Sequence, residues 1–169
     1  MTTRYQRIRS EVYELLAPEF GTQAGRISFD TEEATWVCIR QCQIPPILTP
    51  DGDGKVDILL IIPSTYPQTP PDGFYCDQAL KLQGHYFAPM MFNSAPGSIG
   101  AQLREAGWNW YCAHPEKRQQ MAERWSPHHQ AARGDNLLKY LLLCLSILGT
   151  EAKRPPRPNP FPFPPRPTE

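Results

Sequence analysis

The residues best suited to chemistry are Cys112 and His114, two positions apart at the end of the aromatic run Trp108-Asn-Trp-Tyr-Cys112. A cysteine attacks as its thiolate, and a neighbouring histidine or exposed backbone donors lower the thiol pKa. The stretch reads as a loop, and loops on rigid scaffolds are where nucleophiles tend to be displayed. The same pair also fits a plainer reading, with Cys112 a small buried hydrophobe and His114 a surface residue. Two wider constellations share the thiol. Cys112, His114, His128 and His129 compose a conceivable zinc site, although the paired spacing of zinc ligands is missing. Cys112, His128 and Asn136 can be cast as a papain-like thiol hydrolase, with nothing local to favour it.

The other cysteines read as structural. Cys38 and Cys42 are four apart on an expected strand, so they share one face but are too separated for a zinc knuckle. Cys76 ends a strand, and Cys144 lies inside the apolar run Leu141-Leu-Leu-Cys-Leu145. Five cysteines, odd in number and irregular in spacing, disfavour a disulfide framework and suit a reducing, cytoplasmic setting. Asp51-Gly-Asp-Gly54 has the opening of a calcium loop but no later acidic ligand and no flanking helix pair, so it reads as a turn between strands.

Charge and composition narrow the partners. The chain carries 17 basic and 17 acidic residues. Lys153, Arg154, Arg157 and Arg166 against Glu169 make the tail +3 and leave the body −3. A body of that sign offers no broad basic surface for phosphates, which argues against a nucleic-acid partner. No apolar run approaches the roughly 18–20 residues of a membrane span, and charges interrupt every apolar stretch of residues 1–16, where a signal-peptide core would lie. Eight of the 20 prolines fall in residues 153–169, a segment expected to be an extended or disordered appendage outside a domain of residues 1–152. Such proline-rich segments dock into aromatic grooves or act as semi-rigid spacers.

Elements that position the thiol follow from periodicity. Tyr5, Ile8, Val12, Leu15 and Leu16 predict an amphipathic helix over 4–16, stopped by Pro18. Strands are expected at 26–29, 35–44 and 55–62, with Cys76 ending a further one. Residues 77–107 read as loop. Asn136 offers an N-cap to an apolar helix over 137–148, closed by Gly149. Helix, antiparallel meander, loop region and helix define an α+β fold.

The segment Pro63-Ser-Thr-Tyr-Pro-Gln-Thr-Pro-Pro71 after an apolar strand resembles the Tyr-Pro-x-x-Pro-Pro element of ubiquitin-conjugating enzymes. Trp125-Ser-Pro127 before an apolar helix resembles the Trp-x-Pro element that follows their catalytic cysteine, and Cys112 falls between the two. The chain is most similar to a bacterial branch of that superfamily, the prokaryotic family E of ubiquitin-conjugating-like proteins, over roughly residues 4–149. That branch has a histidine shortly after the cysteine, here His114. No His-Pro-Asn tripeptide precedes Cys112; His85, Asn93 and Asn109 are the nearby polar residues. The resemblance implies a UBC-like fold and acyl transfer. An adenylating activating enzyme hands the C-terminus of a ubiquitin-like protein to Cys112 as a thioester, and an amine or other nucleophile of an acceptor protein takes it. Cys112 is then the nucleophile, His114 its base or thiolate partner, and Asn109 the candidate oxyanion donor. The conjugating step needs no metal or organic cofactor. Arg4 and Arg7, on the charged face of the first helix, are the implied contacts for the activating enzyme. The family also implies a defence-related bacterial operon. The alternative it allows is a non-catalytic binding or scaffold module for ubiquitin-like proteins.

Overall fold

The computed structural model describes residues 3–81, 98–113 and 125–153. Helix α1 (Arg4–Glu11) starts with a capping box, in which the Thr3 side chain accepts from the Gln6 amide and the Gln6 side chain from the Thr3 amide. It runs into a π-helical turn, Val12–Leu16, and a short α2, Ala17–Phe20. Contrary to the sequence expectation, Pro18 does not stop the helix. The wide turn, with the Ala17 amide bonded to the Val12 carbonyl, ends just before the proline, whose missing N–H begins the new turn.

Five antiparallel strands follow in sequential order: β1 (Ile27–Phe29), β2 (Trp36–Gln43), β3 (Lys55–Ile61), β4 (Phe74–Cys76) and β5 (Asn109–Tyr111). The meander is α+β, as expected. β2 and β3 pair with Ile39 opposite Ile58 but Cys42 opposite Val56, a one-residue slip that marks a β-bulge at Arg40–Gln41. Gln41 has φ +51°, and Asp57 secures it by accepting the Gln41 amide at 2.8 Å and the Arg40 guanidinium at 3.2 Å. The bulge overturns the shared face expected for Cys38 and Cys42. Cys42 turns into the main core, while Cys38 packs on the opposite side of the sheet.

Helix α3 (Ile99–Glu105), capped by Ser98, occupies part of the region expected to be loop. Its apolar content is too low for periodicity to find it, and none of its residues is buried. Helix α4 (Leu137–Ala152) is capped by Asn136, as expected, and continues through Gly149. A mid-helix glycine costs about 1 kcal/mol, and the packing around it, with Leu148 buried and Ala152 against the core, outweighs it. Among the described residues no helix is long and apolar enough to cross a membrane.

The main core lies on the sheet face covered by the terminal helices, where Ile8, Val12 and Leu16 and then Leu137, Tyr140, Leu141 and Leu148 meet Val37, Ile39, Ile58, Leu60 and Phe74. The other face carries a smaller cluster of Cys38, Leu59 and Tyr75, with Trp36, Leu103, Trp108 and Trp110 against it. β5, at the end of this sheet, leads directly to Cys112.

The β1–β2 turn supplies an acid-sensitive tether. Asp30 accepts from the Thr35 hydroxyl at 2.6 Å and from the Thr35, Glu32 and Glu33 amides. These bonds, the Thr35 hydroxyl first, hold its carboxyl well below the usual carboxylate range. The folded form binds the proton less readily than the unfolded one. Its contribution is therefore complete above about pH 4 and is lost as pH falls further. Asp30→Asn is expected to flatten the acid limb of stability, read as urea midpoints between about pH 7 and pH 2. Parallel curves for variant and parent would remove Asp30 from the account.

Candidate active site

Strand β5 is held against β4 with Tyr111 opposite Phe74, Trp110 opposite Tyr75 and Asn109 opposite Cys76. Tyr111 and Ala113 are buried while Cys112 between them is half-buried, the alternation of an extended chain with one face outward. Cys112 thus stands just past the last strand pair with its side chain on the less covered side.

Both neighbours of the thiol are anchored. The Tyr111 ring stacks on Phe74 at 5.5 Å, and its hydroxyl accepts the Leu80 amide at 2.8 Å. Burial is the main cause that pushes this phenol up to about 12. On the other side, Tyr140 of α4 donates its hydroxyl to the Ala113 carbonyl at 2.7 Å. Burial holds the Tyr140 phenol well above its ordinary value, so it remains a donor at any working pH.

Of the five cysteines, Cys112 is the one that is not buried. Desolvation pushes the Cys38 thiol up to about 11 and Cys42 to about 12, and Cys76 lies well above its ordinary value. Thiols held protonated in this way are poor nucleophiles. The structural role expected for these cysteines fits their environments, and the plainer reading of Cys112 as a buried hydrophobe does not.

The supporting groups expected from sequence are distributed unevenly. His114, like His85 and Asn93, lies outside the described residues. Asn109 opens β5, and strand alternation sets it with Tyr111, on the opposite side from Cys112. Its amide donates to the Gly107 carbonyl at 3.2 Å. Asn136 cannot orient a thiol-hydrolase histidine, because both ends of its amide are engaged. Its oxygen accepts the Lys139 amide, and its nitrogen donates to the Ala131 and Gly134 carbonyls. Among the described residues, no three histidine, cysteine or carboxylate side chains are grouped as a metal would require. Asp51 and Asp53 instead accept the Asp53 and Lys55 amides, as turn residues do.

Arg4 is half-buried and donates to the Glu33 carbonyl, tying α1 to the β1–β2 turn. Arg7, expected on an exposed charged face, is only 4% exposed. Its guanidinium pairs with Glu11 and donates to the His128 and Asp135 carbonyls at 2.5 and 3.3 Å. A buried cation needs such partners, and here they set the path of the segment that follows Trp125. Glu11 is itself fully buried and accepts the Tyr66 hydroxyl at 2.6 Å and the Leu137 amide at 2.7 Å.

The two sequence motifs meet at this cluster. The Trp125 indole donates to the Pro67 carbonyl at 2.7 Å, beside the cis Tyr66–Pro67 peptide. Trp125 also lies 6.4 Å from the Tyr66 ring and edge-on to Tyr140 at 6.3 Å. Above them opens a groove of about 590 Å³ lined by Gln6, Arg7, Pro67, Gln68, Pro127, His128 and His129. Glu11 and Tyr140 are not singled out from sequence, and Tyr66 is read only as part of its proline motif. The available signal was the helical spacing of Glu11, which sets it on the Ile8–Val12 stripe rather than opposite it.

An antiparallel sheet with the N- and C-terminal helices packed on one face, and a half-exposed thiol at the end of its last strand, defines a UBC-like α+β protein. The family model described as Prokaryotic E2 family E matches residues 26–143, and the chain belongs to that family. No curated protein and no solved structure matches the chain. Membership places it broadly among proteins of ubiquitin-like conjugation, a transferase of the conjugating type whose general partners are ubiquitin-like proteins and their activating enzymes.

Proposed function

We propose that the protein is a conjugating enzyme that carries a ubiquitin-like protein as a thioester on Cys112. The observation that carries this reading is the contrast among its cysteines, four buried and Cys112 half-exposed at the end of β5. The Cys112 thiolate attacks the thioester carbonyl of the charged activating enzyme. A new S–C bond forms, the old one breaks, and the activating enzyme's thiolate leaves. An acceptor amine then attacks the Cys112 thioester, its proton passing to a base, and Cys112 departs as thiolate. His114 is the base assigned by this reading. Asn109 would serve a tetrahedral oxyanion only if it released the Gly107 carbonyl and β5 turned its side chain to the thiol's side. Arg4, on the first turn of α1, is the activating-enzyme contact, while Arg7 acts by shaping the groove wall. Residues 153–169 are a proline-rich appendage to this domain, and the setting is a cytoplasmic, defence-related bacterial operon.

The test is a loading assay with the activating enzyme and ubiquitin-like protein encoded beside this gene, plus ATP. A thiol-sensitive adduct is expected on the parent chain and none on Cys112→Ala. An adduct that persists in that variant would move the nucleophile elsewhere. No adduct with demonstrably active partners would leave a non-catalytic module.

A further inference from the structure

The hydrogen-bond ladder between β4 and β5 ends at Phe74 and Tyr111, one residue short of Cys112. Continuing that register sets Cys112 opposite Gly73. The Tyr140 hydroxyl lies where the ladder stops. It donates to the Ala113 carbonyl at 2.7 Å, and the Gly73 backbone amide interacts favourably with the Tyr140 hydroxyl. One phenol therefore bridges the chain before β4 and the chain after β5, a side-chain rung beyond the last backbone rung. Cys112 lies beside this rung, half-buried.

The ring that carries this hydroxyl is fixed. Tyr140 is 1% exposed, and Trp125 stands edge-on against it with an interplanar angle of 82°. Trp125 is secured in turn by the Pro67 carbonyl. A tyrosine here is not needed to fill the core, since phenylalanine fills nearly the same volume. The hydroxyl has a task that burial alone does not explain.

We propose that Tyr140 is a positioning residue for Cys112, its hydroxyl closing the end of the β4–β5 pair so that the thiol is presented in one orientation. This rests on the reading of Cys112 as an acyl acceptor. Transfer between two thiols requires a defined attack geometry, whereas a small alkylating reagent requires only access. Loss of the rung therefore moves the two reactivities in opposite directions.

Tyr140→Phe keeps the ring and its contact with Trp125 and removes only the hydroxyl. Loading of Cys112 from the charged activating enzyme is expected to fall about tenfold in kcat, with KM unchanged. Alkylation of Cys112 by iodoacetamide, resolved by site with mass spectrometry, is expected to rise about threefold as the segment opens locally. Cys38, Cys42, Cys76 and Cys144, all buried, serve as internal controls and are expected to keep their rates. Parallel acceleration at all five cysteines would reveal a merely structural role and overturn the proposal. Unchanged alkylation of Cys112 would overturn it as well. If the parent chain never loads, the conjugating reading fails, and the alkylation pattern still decides whether Tyr140 holds the thiol.

Discussion

Replacement of Glu11 by alanine is expected to destabilise the chain by roughly 3–5 kcal/mol, a large part of the roughly 5–15 kcal/mol that holds a domain of this size together. The carboxylate is fully buried, and three separate elements depend on it. Arg7 of α1 faces one oxygen; the Tyr66 hydroxyl and the first amide of α4 share the other. Its removal leaves a guanidinium that is 4% exposed without its counter-charge, a buried phenol without an acceptor and a helix N-terminus without its anion. The magnitude comes from the uncompensated charge rather than from the intrinsic strength of the pair. A double variant, Arg7→Met with Glu11→Leu, is therefore expected to cost clearly less than the sum of its two single changes. Chemical denaturation of the parent, Glu11→Ala, Arg7→Met, Glu11→Leu and the double variant measures both quantities. A loss below about 1 kcal/mol for Glu11→Ala would show that the cluster is solvated and that α1 is held by its apolar stripe alone.

The position of this cluster explains why the motifs are readable before the structure is known. Tyr66, Pro67 and Trp125 stand out in the sequence as punctuation around proline, and each proves to be a contact between segments. Pro67 contributes its carbonyl, Trp125 its indole N–H and Tyr66 its hydroxyl. Periodicity located α1, α4, β2 and β3 because their apolar residues repeat along the chain, whereas β5, three residues long, reads as loop and is a strand only through its pairing with β4. Periodicity misassigned Arg7 because a charged residue on an amphipathic helix is ordinarily solvated, and only a tertiary partner reverses that. The partner carbonyls, His128 and Asp135, are more than a hundred residues away. The bulge in β2 escaped for a related reason. Alternation of side chains is a local rule, but the slip that reverses it at Cys42 is fixed by Asp57 on the neighbouring strand.

The candidate site divides along the same line. Cys112 was legible as a candidate because it falls between the Tyr-Pro-x-x-Pro-Pro and Trp-x-Pro elements; beside His114 alone it fits a plainer reading as well. What holds it was not legible, since Tyr140 reads as one more apolar position in a leucine-rich helix, and only its hydroxyl contact with Ala113 separates it from Leu141. The assignment of Asn109 followed from its nearness in sequence. In an extended strand three residues place it about 10 Å along the chain and on the other side from the thiol.

Gly73→Ala is expected to have the second large effect, roughly 2–4 kcal/mol in stability, together with a greater loss of Cys112 reactivity than stability alone explains. Gly73 has φ +138°, where a side chain is strained, and a Cβ added there would lie 2.5 Å from Trp110 Nε1 and 2.6 Å from the Tyr111 carbonyl oxygen. Two of these constraints come from β5 itself. One is backbone, which cannot swing aside as a side-chain end can, so the methyl group must push β4 and β5 apart at the pair nearest Cys112. Gly52 provides the control. It too has a positive φ, +78°, but a Cβ there meets nothing within 4 Å, so Gly52→Ala carries the conformational cost of about 1–2 kcal/mol without the collision. Thermal or urea unfolding of the two variants isolates the contact term, and loading of Cys112 at a temperature well below both transitions isolates its effect on the site. Gly52→Ala is expected to load at the parent rate and Gly73→Ala at least about tenfold more slowly. Equal destabilisation by the two substitutions, with equal loading, would mean that β5 yields without moving Cys112 and that the thiol is positioned from α4 alone.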